Sequence, residues 1–466
     1  MPDASALNRP LALLVAATFF MENLDGTIIS TAAPAMAHDL GTRPVAINAA
    51  MTSYLVTLAI GIPISGWLTD RFGARRVFSL AIVVFTVASA LCALSPDLVV
   101  LCAMRVVQGA GGAMMVPVGR LIVLRSTQKR DLLAATAYLT WPALVAPVIA
   151  PLLGGWLTSV ASWHWIFWLN VPLGVAALVA ALRLVVDPPR AGTPAPDLVG
   201  FLTAGGAAAA LLIGLESFEG TGPVPWSRVA VLLAMAVLLG GWCLHGLRHR
   251  RHPLLDLGGY AVATFRVANA GGALYRLLIF SAPFLLPLMF QVGYGWSATR
   301  SGALVMTLFL GNVAIKPVTT PLIRWLGFRS VIWWSCVGGA ACFLGCALIG
   351  PATPLPLIVA LLVLSGVFRS VGFTGYNSVQ FADIPAAGMG AANTLSATVQ
   401  QLAAGLGVAV GALVLRASEA VTGSDGEHLG EWRLTFVVLA ALMLIPAVEV
   451  LRGLRHDAGD EVAAGR

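Results

Sequence analysis

Fourteen long apolar runs fill most of this chain and constrain its fold more than any other feature. Each is long enough to cross the hydrocarbon core of a bilayer, which takes about 20 mostly apolar residues. Only 11% of the residues are charged, whereas soluble proteins have about a quarter. The sequence therefore predicts an all-α membrane protein. The runs lie near residues 11–33, 47–69, 77–95, 98–120, 132–157, 164–185, 198–216, 228–246, 264–290, 299–318, 331–350, 355–378, 393–415 and 433–452.

The distribution of basic residues orients these runs in the membrane. An even number of spans places both termini on one side, and cytoplasmic loops accumulate Lys and Arg. With both termini inside, only Arg43, Arg228, Arg300, Arg416 and Arg433 lie outside. The basic residues then assigned to the cytoplasmic side are Arg9, Arg71, Arg75, Arg76, Arg120, Arg125, Lys129, Arg130, Arg183, Arg190, Arg248, Arg250, Arg251, Arg266, Lys316, Arg324, Arg329, Arg452, Arg455 and Arg466.

The loop between the second and third runs is short, polar and rich in glycine and arginine. It reads GWLTDRFGARRV from residue 66 to residue 77. An Asp–Arg pair in such a loop can hold neighbouring helices together in one conformation and release them in another. We therefore interpret the loop as part of a gate. Its candidate residues are Gly66, Asp70, Arg71, Gly73, Arg75 and Arg76.

The chain contains a weaker second copy of this loop. Residues 320–331 align with residues 66–77 and keep the counterparts of Leu68, Gly73, Arg75 and Val77. Such repeats are the usual architecture of secondary transporters, with the binding site at the midplane between the halves. The sequence predicts a six-helix bundle over residues 1–185 and a second bundle with a cytoplasmic tail over residues 263–466. A Pro-rich linker and two inserted helices occupy residues 186–262.

Two acidic residues lie inside the first span, where charge is costly. Glu22 and Asp25 are three residues apart, so they share a helix face. Close carboxylates in an apolar setting raise each other's proton affinity, and either residue is a candidate for proton coupling. The alternative is that one acid belongs to a permanent ion pair that only holds helices together.

Arg105, in the fourth span, is the candidate partner of these acids. Counting a 1.5 Å rise per residue from the outer end of each span places Arg105 and Asp25 at matching depths. An ion pair between them is geometrically reasonable, either as part of proton coupling or as a structural tether.

The C-terminal half contains three further cations. Arg276 and Arg369 lie near mid-depth and are candidates to face an aqueous cavity, whereas Lys316 is expected to extend to the membrane interface. Aromatic and polar residues at similar depth complete a candidate substrate cavity that suits lipophilic cations, although the arginines also favour an anion. The predicted cavity residues are Asn23, Gln108, Tyr138, Trp141, Tyr275, Arg276, Asn312, Arg369, Tyr376, Asn377 and Gln400.

Together with the gate loop, three segments resemble motifs of the fourteen-helix drug:proton antiporter branch of the major facilitator superfamily. They are residues 24–34 around Asp25, residues 105–117 beginning with Arg105, and residues 163–174. The resemblance runs end to end and is closest to bacterial inner-membrane proteins named as multidrug transporters. It implies the family fold and a link of Asp25 and Arg105 to proton coupling. It also implies location in a bacterial inner membrane.

The fifth-helix antiporter motif of that branch is altered here. Pro147, Pro151, Gly154 and Gly155 are kept, but alanine stands at three positions where the family has glycine. Alanine still permits close helix packing but is less flexible than glycine.

These observations predict a proton-coupled antiporter that exports lipophilic or cationic compounds by alternating access. The alternative is a carrier of an endogenous metabolite, such as an organic anion or an amino acid, with the same fold. We expect no enzymatic activity, because the chain has no G-x-x-x-x-G-K-[ST] loop and no H-E-x-x-H helix. We also expect no cofactor, metal, nucleotide or nucleic acid, with the proton as coupling ion. The expected partners are a small-molecule substrate and the lipid bilayer, and the expected state is a monomer.

Overall fold

The protein is a bundle of long helices that cross a membrane. A computed structural model describes residues 8–42, 44–128, 131–187, 195–217, 225–250, 253–422, 429–455 and 458. Within them, thirteen helices are long and apolar enough to span a bilayer. We number the helices α1 Arg9–Asp39, α2 Asn48–Phe72, α3 Ala74–Ala93, α4 Leu98–Ser126, α5 Leu132–Val160, α6 Trp165–Leu184, α7 Leu198–Glu216, α8 Trp226–His249, α9 Ala263–Gly293, α10 Ala298–Ala314, α11 Lys316–Leu348, α12 Leu355–Val379, α13 Met389–Thr422 and α14 Leu429–Gly453.

The fourteen helices match the predicted spans, with one difference around the tenth. Helix α10 has 17 residues, which is at the short end for a span. The chain continues as a helix from Lys316 and leaves helical geometry at Gly327 before α11 goes on. The predicted tenth span is thus completed by the first turns of α11, and the eleventh span follows Gly327.

Helix pairing is repeated between the two halves of the chain. Helix α1 packs along α5, α2 along α4, and α3 along both α4 and α6. In the second half, α9 packs along α13, α10 along α12, and α11 along both α12 and α14. The fold therefore consists of two six-helix bundles with the same internal arrangement.

The two gate loops have the same backbone geometry. Gly73 has φ 90° and ψ 145°, and Gly327 has φ 76° and ψ 160°. Two residues later in each copy, an arginine donates to a backbone carbonyl near the end of the last helix of its bundle. Arg75 donates to Leu182, and Arg329 donates to Leu451 at 2.8 Å. The sequence repeat is therefore also a repeat of local structure.

The inserted helices α7 and α8 pack against each other, and α7 lies against α2 and α13. Direct contacts between the bundles involve α2 and α4 with α13, and α5 with α10, α11 and α12. Some sequence predictions lie outside the described residues. These are the assignments of Arg43, Lys129, Arg130, Arg190, Arg251 and Arg466 and the linker residues 188–194.

Candidate functional site

Asp25 and Arg105 form the ion pair that the sequence predicted. Arg105 Nη1 lies 2.5 Å from Asp25 Oδ2, and neither side chain is exposed to solvent. A charge pair removed from water repays its desolvation only when further hydrogen bonds satisfy it. The surroundings of this pair supply such bonds to Asp25 and to two of the three guanidinium nitrogens of Arg105, while among the described residues Arg105 Nη2 is buried without a partner.

Two amide side chains hold the second oxygen of Asp25. Gln108 Nε2 donates to Oδ1 at 3.0 Å, and Asn170 Nδ2 donates to the same oxygen at 2.8 Å. Asn170 is fixed in turn by Ser89 Oγ at 3.0 Å. Asp25, on α1, thus accepts hydrogen bonds from three side chains of α4 and α6. Ser89, on α3, contributes indirectly by holding Asn170 in place.

Arg105 is held on its other side by α2. Its Nε donates to the carbonyl of Ala50 at 3.3 Å, and its guanidinium lies 4.1 Å from the centre of the Tyr54 ring. Within α4, its Nη1 also donates to Gln108 Oε1 at 2.7 Å. A cation over an aromatic face is stabilised when water is excluded. Breaking the Asp25–Arg105 contact therefore changes contacts in five helices of the N-terminal bundle.

Glu22 does not join this network. It lines a cavity between the two bundles, and its Oε2 is buried with no hydrogen-bond partner in the part of the chain that the structure describes. The two acids of α1, predicted to share a face, thus have different roles in the packing. Asp25 is enclosed within one bundle, and Glu22 faces the space between bundles.

The inter-bundle cavity has about 200 Å³ that water-sized molecules can reach. Its walls combine phenylalanines, amide side chains and three charged residues from α1, α2, α4, α5, α9, α12 and α13. Its lining residues are Phe19, Glu22, Asn23, Ile62, Val116, Pro117, Arg120, Leu124, Thr136, Leu139, Thr140, Arg276, Phe280, Phe373, Asn377, Phe381, Ala397, Gln400, Gln401 and Ala404.

The two cavity arginines come from opposite bundles. Arg120 Nη1 lies 3.4 Å from Gln400 Oε1 on α13. Arg276 donates to the carbonyl of Ala268 and to Asn377 Oδ1, both at 3.1 Å. Because Glu22 is the one acidic residue in the lining, the cavity has formal charges of both signs, with an excess of one positive charge.

Some of the predicted cavity residues line the cavity, and the others lie elsewhere. Asn23, Arg276, Asn377 and Gln400 line the cavity. Gln108 instead belongs to the ion-pair network. Tyr138 and Trp141 are 40% and 48% exposed on the surface of the bundle, so they face away from the cavity.

The remaining predicted residues lie behind the cavity, between helices of the C-terminal bundle. Tyr275 and Tyr376 pack ring against ring at 5.3 Å, and Arg369 donates to the carbonyl of Ile279 at 2.6 Å. Asn312 is buried, and no described residue forms a hydrogen bond with its amide nitrogen or oxygen. None of these four appears in the lining of the inter-bundle cavity.

Two assignments of basic residues need correction. Lys316 was expected at the membrane interface but is 7% exposed, and its Nζ donates to Thr374 Oγ1 at 2.6 Å. Arg120 was assigned to the cytoplasmic side but faces the cavity. Helix α4 is 29 residues long and continues beyond Arg120, so this arginine lies inside the span rather than after it.

Asp70 of the gate loop contacts an arginine of α4 rather than one of the loop's own predicted arginines. Asp70 Oδ1 lies 3.2 Å from Arg125 Nη2 on α4, with both side chains well exposed. Arg75 is tied to the end of α6, and its backbone N–H donates to Asp187 at 2.8 Å. Arg71 and Arg76 are exposed. Gly66 faces α13, where a Cβ would lie 2.4 Å from Thr394 Oγ1.

The fifth-helix motif brings α1 and α5 close together. A Cβ on Gly154 would lie 2.3 Å from Thr31 Oγ1 and 3.1 Å from the carbonyl of Ile28, whereas Gly155 has nothing within 4 Å. Pro147 is half-buried, and the side chain of Pro151 lies outside the described residues. Ala146 and Ala150, which replace the family's glycines, are fully buried beside α1. Alanine at these positions is therefore compatible with close packing.

Sequence reasoning missed several residues of the site. Asn170, Ser89 and Tyr54 complete the ion-pair network, and Arg120 and Thr140 line the cavity. Asn170 lies within a motif segment, which was the available signal. In the described part of the chain, no group of three or more His, Cys, Asp or Glu side chains could hold a metal ion.

Comparisons with known proteins agree with this architecture. A sequence model of the Major Facilitator Superfamily matches residues 15–408. Proteins named "Putative multidrug resistance protein MdtD" from Escherichia coli strains E24377A and K12 are 34% identical over 471 residues. These matches cover 100% of this chain and 99% of those proteins.

Two solved structures share the fold at low sequence identity. The human organic anion transporter MFSD10 superimposes with a TM-score of 0.67 at 15% identity, covering 97% of this chain and 100% of that one. The proton:xylose symporter XylE gives a TM-score of 0.65 at 13% identity, covering 99% of each chain.

Proposed function

Because this chain belongs to the major facilitator superfamily, and is thus a membrane transporter rather than an enzyme, we propose that it is a proton-coupled antiporter. In this proposal it exports lipophilic or cationic compounds by alternating access. The observation that carries the proposal is that the same two helices contribute both the buried ion pair and two of the charged residues of the cavity. Helix α1 contains Asp25 and Glu22, and helix α4 contains Arg105 and Arg120.

This arrangement provides a physical route from proton binding to the cavity. Protonation of Asp25 removes its charge and weakens its contact with Arg105. Since a buried cation without a counter-charge is costly, α4 then shifts relative to α1. That shift moves Glu22 and Arg120 in the cavity and changes the affinity for substrate. A ligand shifts a conformational equilibrium only through different affinities for the two states, and here proton and substrate act on the same helix pair.

We infer that the moving bodies are residues 1–185 and residues 263–466, with residues 186–262 as linker and inserted pair. The repeated helix pairing supports this division. Rocking of two such repeats about a central site is the usual form of alternating access. The protein is further proposed to be a monomer of a bacterial inner membrane, with both termini in the cytoplasm and the proton as coupling ion. The relatives from Escherichia coli and the excess of Arg in the predicted inner loops support this location.

The test is efflux of ethidium from proteoliposomes under an imposed pH gradient. We expect gradient-dependent movement by the wild type and its loss in Asp25→Asn. Asp39→Asn is the matched control, since Asp39 lies on the same helix and its side chain is 56% exposed. Normal gradient-driven transport by Asp25→Asn would remove Asp25 from the mechanism.

A second candidate is carriage of an endogenous metabolite such as an organic anion or an amino acid. Two guanidinium groups and one carboxylate in the cavity lining favour it. No ethidium movement by a well-folded wild type would support this candidate. A profile of growth inhibition against supplied metabolites would then identify the cargo.

A further inference from the structure

Glu22 and Arg276 occupy equivalent positions in the two repeats. Glu22 and Arg276 are separated along the chain by the same number of residues as Gly73 and Gly327, the glycines of the two gate loops. The same spacing relates the first residue of α1 to that of α9, and the last residue of α1 to that of α9. Alignment of the repeats therefore places an acid and a base at the same point of the first helix in each bundle.

Both side chains face the inter-bundle cavity and both retain unused hydrogen-bonding capacity. Among the described residues, neither Glu22 Oε2 nor the Nε of Arg276 has a hydrogen-bond partner, and both atoms are buried. Arg276 is held at its other nitrogens by Ala268 and Asn377, so the position of its guanidinium is fixed. Buried polar atoms without partners are costly, and a bound group of opposite charge would satisfy each of them.

Aromatic side chains line the cavity that contains these two charges. Phe19 lines the cavity on the α1 side, Phe280 on the α9 side, and Phe373 on α12. The amides of Asn23 and Gln401 add hydrogen-bonding groups at the wall. A binding pocket that is mostly apolar with a few oriented polar groups is typical of small-molecule sites.

We propose that the cavity recognises an amphipathic zwitterion, whose cationic group binds Glu22 and whose carboxylate binds Arg276 on either side of an aromatic body. This proposal rests on the proposed transport function and specifies its substrate class. A purely cationic compound leaves Arg276 buried without a counter-charge. A purely anionic compound pairs with Arg276 but leaves Glu22 Oε2 without a hydrogen bond, with Arg120 as the nearby cation that offsets the charge of Glu22. Specificity then arises from the penalty on either mismatched ligand.

Three xanthene dyes test this proposal because they share one ring system and differ in charge. Rhodamine 110 has a cationic ring and a free carboxylate, rhodamine 123 is its methyl ester and is a cation, and fluorescein is an anion. Equilibrium binding to the purified full-length protein in detergent or nanodiscs is measured by fluorescence anisotropy near pH 7. We expect rhodamine 110 to bind about tenfold more tightly than either of the other dyes.

Single charge removals should affect the dyes selectively. Glu22→Gln should weaken rhodamine 110 and rhodamine 123 about tenfold but cause no loss of fluorescein affinity. Arg276→Gln should weaken rhodamine 110 and fluorescein about tenfold but not rhodamine 123. Arg276→Lys, which keeps the charge, should restore part of the lost binding. Arg369→Gln is the matched control, since Arg369 is a buried arginine of the same bundle outside the cavity lining.

Several results would overturn the proposal. One is equal affinity for rhodamine 110 and its ester. Another is a charge-removal variant that melts at the wild-type temperature but loses affinity for all three dyes alike. The last is no binding of any dye to folded wild-type protein. Gradient-driven transport is measured separately in proteoliposomes. Movement of ethidium together with unselective dye binding would refute only the substrate class. Charge-selective binding without gradient-driven movement of either rhodamine 110 or ethidium would refute only the antiport function.

Discussion

The carboxylate of Asp25 depends on Asn170 as well as on Arg105. Asn170 donates to Asp25 and is oriented by Ser89. Asn170→Leu keeps the approximate shape but removes a donor from a buried charge, so we expect a loss of about 1–3 kcal/mol of stability. Thermal unfolding in detergent measures this loss. Gradient-driven transport in proteoliposomes should also fall, because Asn170 helps to hold the carboxylate of Asp25.

Asn312→Leu is the matched control for this variant. Asn312 is equally buried, but neither end of its amide has a partner. Replacing an unsatisfied amide with an apolar side chain of similar size should leave the melting temperature unchanged or raise it. Equal destabilisation by both variants, with equal gradient-driven transport, would show that Asn170 contributes packing alone.

Lys316 and Thr374 allow a second comparison between single residues. The ammonium of Lys316 is buried, and in the described part of the chain its hydrogen-bond partner is Thr374. Thr374→Val leaves this cation without a partner and should destabilise the protein by about 1–3 kcal/mol. Lys316→Met removes the charge itself and should cost less or stabilise.

Thermal unfolding of both variants in detergent measures this difference. The opposite order of melting temperatures would mean that Lys316 is stabilised by its surroundings as a whole rather than by Thr374. The corrected position of Lys316 has a clear cause. Counting residues along the chain placed Lys316 near the inner end of a span, but its side chain lies on the helix face that packs against α12, where Thr374 accepts a hydrogen bond from its Nζ.

At the level of single helices, the sequence predicted depth well and rotation poorly. The 1.5 Å rise per residue is constant, so the depths of Asp25 and Arg105 could be matched by counting residues along the chain. Rotation about the helix axis is set by packing. On α5 the cavity face is formed by Thr136, Leu139 and Thr140. Tyr138 and Trp141 have similar depth but face the opposite way.

Gly73 precedes α3 and Gly327 interrupts α11, and both have a positive φ, 90° and 76°. This region of φ and ψ is almost restricted to glycine, and other residues pay about 1–3 kcal/mol there. Gly73→Ala and Gly327→Ala should each destabilise the protein by a similar amount, because the repeat imposes the same turn twice. Each should also weaken the arginine contact that follows, made by Arg75 or Arg329.

Gly155→Ala is the control for these glycine variants. It lies inside a helix, and a Cβ there would have nothing within 4 Å. Since alanine favours a helix interior by about 1 kcal/mol over glycine, this variant should not lower the melting temperature. A neutral Gly327→Ala beside a destabilising Gly73→Ala would mean that the second turn relaxes where the first does not.

At the scale of the whole molecule, hydropathy and the repeat predicted the two bundles because a bilayer leaves few alternatives for an apolar chain. A spanning segment must satisfy its own backbone hydrogen bonds, so apolar length converts directly into helices. The cavity was less accessible to sequence reasoning, since it depends on how the bundles meet. Arg120 belongs to it because α4 extends beyond the expected end of its span.

The contact between α2 and α13 offers a direct test of rocking between the bundles. A Cβ on Gly66 would lie 3.2 Å from the Cβ of Thr394, which is close to the spacing of about 3.5–4.5 Å in disulfides. In Gly66→Cys/Thr394→Cys, oxidation should join the bundles at the gate and stop transport. Reduction should restore it, because alternating access requires these helices to separate.

A disulfide inside one bundle serves as the matched control for this cross-link. Gly411 on α13 faces Ser281 on α9, with a Cβ-to-Cβ spacing of 3.0 Å. If each bundle moves as a rigid body, Gly411→Cys/Ser281→Cys should transport equally well oxidised and reduced. Transport is measured as substrate efflux from proteoliposomes, with single-cysteine variants to correct for the six native cysteines. Unchanged transport by the oxidised inter-bundle pair would mean that α2 and α13 stay together throughout the cycle. Motion would then have to occur elsewhere, at the contacts of α5 with α10 and α12.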